Sequence, residues 1–118
     1  MKAPRSKPEE QLDAALSVVF PNQKILHDMP IKVNGRMLYV DRVIKGSRLA
    51  IEIDGRQHLE FVAHFHGNAD GFKSHKDRDA AKESWLHQNG YSLVRISHRE
   101  TVTSEMLRTR VLEALSDG

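Results

Sequence analysis

The sequence predicts an α/β fold, a mixed β-sheet flanked by helices in the order α-β-β-β-α-β-α. Three observations carry this. Asn34-Gly35, a strong hairpin-turn dipeptide, stands between two runs of strand character. Two apolar strand-like runs, Arg48 to Asp54 and Ser92 to Ile96, bracket a helical segment that closes on Gly90. Both ends of the chain carry apolar residues at helical spacing, and hairpin strands followed by a helix and a further strand suggest such a sheet.

Taken in order, Met1 to Pro8 is a polar, basic lead with two prolines, expected to be flexible. Glu9 to Phe20 places Leu12, Ala15, Leu16 and Val19 on one helical stripe, and Pro21 stops it. Lys24 to Val33 holds short apolar alternations broken by Pro30, and Arg36 to Ile44 is a strand. Lys-Gly-Ser joins that strand to the next, Arg48 to Asp54. Leu59 to Lys73 is aromatic, histidine-bearing and glycine-interrupted, and reads as a long loop. Ser74 to Asn89 reads as a helix whose Trp85 and Leu86 seat it on the sheet. Thr103 to Ser116 closes the chain with Leu107, Val111 and Leu115 on one stripe. The expected organisation is a lead over 1–8 and one domain over 9–118.

Composition bounds the class. The 118 residues are 39% hydrophobic and 29% charged, which suits one modest globular core. No apolar run is long enough to cross a bilayer and no signal-peptide pattern is present, so no membrane partner is expected. With no cysteine there is neither disulfide nor thiolate zinc site, and a cytoplasmic location is the default expectation. A net charge of +2 and a pI near 9.0 lean mildly towards an anionic partner such as nucleic acid.

The chemistry concentrates in Leu49-Ala50-Ile51-Glu52-Ile53-Asp54-Gly55-Arg56-Gln57-His58. Glu52 and Asp54, two apart in a strand, share a face, where carboxylates repel unless a cation sits between them. Asp41, in the preceding strand, is placed to meet Glu52 across the hairpin. Hard oxygen ligands favour magnesium or manganese, and magnesium needs only one or two protein carboxylates. Hydrolysis of a phosphodiester is the chemistry that best uses such a metal. His64 and His66 invite a zinc reading, but neither cysteine nor a helical histidine pair supports it, and they fit better lining the loop by the substrate.

Asp41, then Glu52-Ile53-Asp54-Gly55 and His58, resembles the PD-(D/E)XK nuclease superfamily, in the branch of the very-short-patch-repair and EDxHD homing endonucleases. Arg78-Asp79 on a helix, followed by Asn89-Gly90-Tyr91 and a strand ending in Arg95-Ile96, resembles the same branch. The resemblance runs from about Glu9 to the final helix and implies a restriction-endonuclease-like core. It implies that Asp41, Glu52 and the carbonyl of Ile53 bind metal, and that Glu9, His58 and Asp79 complete the catalytic set, with Glu10 competing with Glu9. Asp54 stands where the superfamily has lysine. The role of steering or activating water then passes to His58, Gln57 or Lys82, while Asp54 itself suits a plain turn.

Arg42, Arg56, Lys73, Lys76 and Arg78 are expected to contact phosphates, positioning DNA without reading its sequence. Asp79 suits a surface ion pair with Arg78 or Lys82 equally well, and Arg95 suits a site carboxylate, a phosphate or solvent. The expected function is a magnesium-dependent DNA endonuclease. Its alternatives are a catalytically idle DNA-binding module of nuclease fold, or a subunit of a larger DNA-processing complex. Without a second domain to read sequence, specificity is expected from loops, a partner or a homodimer.

Overall fold

The computed structural model describes residues 7–54 and 69–117, with side chains described over 7–54 and 77–116. In chain order these form α1 (Lys7–Val19), β1 (Leu26–Val33), β2 (Arg36–Ile44), a 3-10 turn (Lys45–Ser47), β3 (Leu49–Asp54), α2 (Ala69–Gln88), β4 (Ser92–Ser97) and α3 (Ser104–Asp117). The expected α/β order is therefore the observed one. The strands lie side by side as β1-β2-β3-β4; β1–β2 and β2–β3 are antiparallel, and β3–β4 is parallel. A parallel pair needs a long crossover, and α2 lies within it.

Asn34 and Gly35 have φ of 50° and 79°, and Val33 pairs with Arg36, so the first hairpin closes through a two-residue turn with both central residues left-handed. β1 runs unbroken through Pro30, correcting the expectation of a broken segment. It is an edge strand, where a residue without an N–H is tolerated. α1 begins at Lys7, so Pro8 falls in the first turn, where its missing N–H has no partner to lose.

α2 begins at Ala69, five residues before the expected Ser74, and takes in Lys73. Gly71 interrupts that stretch and no helical apolar stripe marks it. The helix ends at Gly90, whose φ is 80°; Gly90 N–H reaches the carbonyl of His87 and Tyr91 N–H that of Leu86, a Schellman-type close.

The sheet separates two apolar clusters. On one face Leu12, Ala15 and Leu16 of α1 and Leu107 and Val111 of α3 meet Leu49, Ile51, Val94 and Ile96. On the other, Leu86 and Trp85 of α2 meet Val40, Val43, Ala50 and Leu93, and Trp85 stacks on Tyr91 at 6.5 Å between ring centroids. α3 departs from its expected stripe: Leu115 is 43% exposed, and Met106 and Ala114 flank Leu107 and Val111 instead.

Candidate active site

Two strands part at Asp41. The β2–β3 ladder pairs Ile44 with Leu49, Val43 with Ala50 and Arg42 with Ile51, and goes no further. On the other side the β1–β2 register passes from His27–Arg42 to Met29–Val40, leaving out Asp28 and Asp41. Asp28 has a φ of +50°, which lets β1 turn with its partner. Side-chain alternation slips at the same place, since Val40 and Val43, three apart, both pack beneath α2.

Carboxylates fill the gap that results. Asp41 N–H donates to Glu52 Oε2 at 2.9 Å, and Ile53 N–H donates to Asp41 Oδ2 at 2.8 Å. The two acids predicted to meet across the hairpin do meet. Glu52 is 5% exposed, and its other oxygen accepts from Lys82 Nζ of α2 at 2.7 Å. Burial first, and then the neighbouring charge of Glu52, push the Asp41 carboxyl up to about 7, against the lowering pull of Ile53 N–H and Lys82. Hydrogen bonding to Glu52 adds a smaller push in the same upward direction.

A second charged layer lies beside the pair. Arg95 of β4 is the register partner of Glu52; it donates to Asp54 Oδ1 at 2.8 Å and Glu83 Oε2 at 3.3 Å. Burial raises the carboxyl of Asp54; Arg95 opposes this, while Asp79 and Glu52 add to it. Asp79, Lys82 and Leu86 thus follow one another down α2 against Asp54, Glu52 and the apolar cluster around Ala50. Asp54 is no plain turn residue. It ends β3 against Arg95, and among the described residues the cations bonded to Glu52 and Asp54 are Lys82 and Arg95.

Arg42, expected on a phosphate, is corrected: it is 2% exposed and directed inward. Its Nε and Nη2 donate to Asp13 at 2.8 and 3.1 Å, its Nη1 to the carbonyl of Asp41 at 2.7 Å, and Glu9 lies 3.6 Å from Nη2. Glu9 therefore joins the site through Arg42, whereas Glu10 is exposed. Arg78 is exposed on α2. Arg56, Gln57 and His58 lie outside the described residues, as do the side chains of Lys73 and Lys76.

Asp13 and Glu83 escaped the sequence reading. Glu9 and Asp13 are four apart beside a buried helical stripe, an arrangement that repels unless a cation enters. An arginine between Val40 and Val43 supplies that cation. Among the described residues, no three His, Cys, Asp or Glu side chains converge closely enough to hold a metal. What the described site offers is two hard carboxylates, Asp41 and Glu52.

No family model matches the chain, and no solved structure matches it. It is similar to uncharacterized protein 307L of Invertebrate iridescent virus 6, with 31% identity over 51 residues, 43% of this chain and 26% of that protein. It is also similar to uncharacterized protein 094L of Frog virus 3 (isolate Goorha), with 34% identity over 65 residues, 54% of this chain and 42% of that protein. The matches thus span from about a quarter to less than half of these relatives' length.

Proposed function

We propose that the chain is a metal-dependent DNA endonuclease with a restriction-endonuclease-like core. The observation that carries this is the acid pair: Asp41 and Glu52 abut where two strands part, with Lys82 2.7 Å from Glu52. Burying two carboxylates against each other costs stability, and the raised Asp41 carboxyl is the mark of that cost. A divalent ion between them would remove the repulsion. The donor set fits magnesium or manganese, which accept few protein carboxylates and keep several waters.

Asp41, Glu52 and the carbonyl of Ile53 would hold the ion. Its contribution, when bound, is to neutralise the phosphate and make an attacking water more acidic. Lys82 takes the part that Asp54 vacates, a cation fixed on Glu52 and directed by α2. Arg95, 31% exposed beside Asp54, is a forked donor suited to a phosphate oxygen. His58 and Gln57 follow β3 directly in the sequence and remain candidates for steering water. Among the described residues no helix is long and apolar enough to cross a membrane.

Incubation with supercoiled plasmid tests the reading. Nicked or linear product is expected with magnesium or manganese and none in EDTA, and calcium is expected to bind with little turnover. Full cleavage in chelator would sink it. If the protein retains DNA without cutting it under any metal, the idle binding module is the correct reading.

A further inference from the structure

We infer that Arg42 and Asp13 are a positioning pair for the acid site, setting where Asp41 stands relative to Glu52. The inference rests on the metal-site reading above and adds to it a role for two residues outside the acid pair.

It starts from the backbone of Asp41. A residue inside an antiparallel sheet is normally fixed by exchanging both its peptide hydrogen bonds with one facing residue. Asp41 has no facing partner in either ladder: the β1–β2 register leaves it out, and the β2–β3 ladder ends one residue away at Arg42. Two side chains hold its peptide groups instead. Glu52 accepts from its N–H at 2.9 Å, and Arg42 donates to its carbonyl at 2.7 Å. One of those side chains is the other acid of the pair. The position of Asp41 against Glu52 is therefore fixed from outside the pair by Arg42.

The geometry of Arg42 suits this. A guanidinium is planar, and its forked donors engage two partners in fixed directions. Here Nε and Nη2 span the two oxygens of Asp13, at 2.8 and 3.1 Å, while Nη1 addresses the Asp41 carbonyl. Bidentate pairing to a helix residue ties that carbonyl to α1, which is itself anchored by fully buried Leu12 and Leu16. A lysine could match the charge but not both directions. Burying a guanidinium at 2% exposure is costly. If stability alone were served, a pair of apolar residues would do as well or better.

The test separates positioning from plain structural support. Manganese binding is measured by calorimetry on wild type, Arg42→Lys, Asp13→Asn and the apolar double variant Arg42→Met/Asp13→Leu, with thermal unfolding followed in parallel. Arg42→Lys and Asp13→Asn are expected to weaken manganese about ten- to hundredfold, the usual effect of disturbing groups behind metal ligands. They should do so at temperatures where they are fully folded. The double variant is expected to regain the melting temperature of wild type without regaining its manganese affinity. Affinity that returns together with stability would overturn the positioning role, as would unchanged affinity in both single variants. Wild type that binds no manganese would overturn the metal site itself, and the positioning role with it.

Discussion

Two trios of charge, built from the same parts, lie on either side of Asp41. One is Glu9, Asp13 and Arg42; the other is Asp41, Glu52 and Lys82. Each holds two carboxylates and one cation, and each has a buried member, Arg42 in the first and Glu52 in the second. They differ in arrangement. In the first the guanidinium reaches both acids, so attraction dominates. In the second the acids face each other and Lys82 holds the outer oxygen of Glu52, so burial and then the remaining repulsion raise Asp41 to about 7. The first trio is a finished joint. The second leaves two acids opposed at the point where two strands part, and a carboxyl perturbed in this way marks a candidate functional site.

The contrast is broken most directly by removing one acid. Asp41→Asn and Glu52→Gln should each lower plasmid cleavage by about three orders of magnitude or more, equivalent to roughly 4 kcal/mol on the barrier. Metal-free stability at pH 8 should stay level or rise in Asp41→Asn, because the repelling partner has gone. Near wild-type cutting by either variant would misplace the site. Next in size is the other trio. Arg42→Ala strips the cation from two acids and should cost about 3–5 kcal/mol of folding stability, read from denaturant unfolding. A loss below about 1 kcal/mol would mean that the joint is not a joint.

The same comparison explains what the sequence could and could not disclose. Asp41 and Glu52 were legible because each interrupts an apolar strand run, Glu52 just before a Gly turn, a pattern that ordinary burial does not produce. The element order was legible from Asn34-Gly35, Gly90 and the helical stripes. Arg42 was misread because a basic residue in a strand suggests the surface; only the pairing of α1 with β2, a tertiary fact, turns it inward. Lys82 stood among the candidates, but its choice of Glu52 over Asp79 depends on the way α2 lies across the sheet. The early start of α2 was hidden by Gly71, and the exposed Leu115 by the pairing of α1 with α3, which periodicity does not reveal.

A third expectation turns on pH. The folded chain holds a proton on Asp41 up to about pH 7, whereas the unfolded chain releases it near the ordinary 3.8. The folded state therefore binds more protons between these values, and stability falls as pH rises through that window. The decline should be on the order of 2–4 kcal/mol between pH 4 and 8 in metal-free protein. Melting curves of Asp41→Asn should lack this component, and an equal slope in that variant would assign the proton elsewhere. The smallest effect expected is that of Lys82→Met. Because Lys82 lowers the Asp41 titration, its loss should move that midpoint above 7, visible in carboxyl NMR shifts, and slow cleavage about ten- to hundredfold. An unmoved midpoint would show that Lys82 does not act on the pair.

The spacing of these contacts along the chain also orders events in time. Asp41 and Glu52 are 11 residues apart, joined by a short turn, while Lys82 reaches Glu52 across 30 residues. Short closures form first, and the parallel pairing of β4 must wait for the crossover. The three-stranded meander thus brings its two acids together before their cation arrives, and above pH 7 it does so with both carboxylates charged. Refolding of metal-free protein should accordingly slow as pH rises from 5 to 8, and Asp41→Asn should remove that dependence. Two acids that meet before their cation arrives thus impose a kinetic penalty on their own assembly.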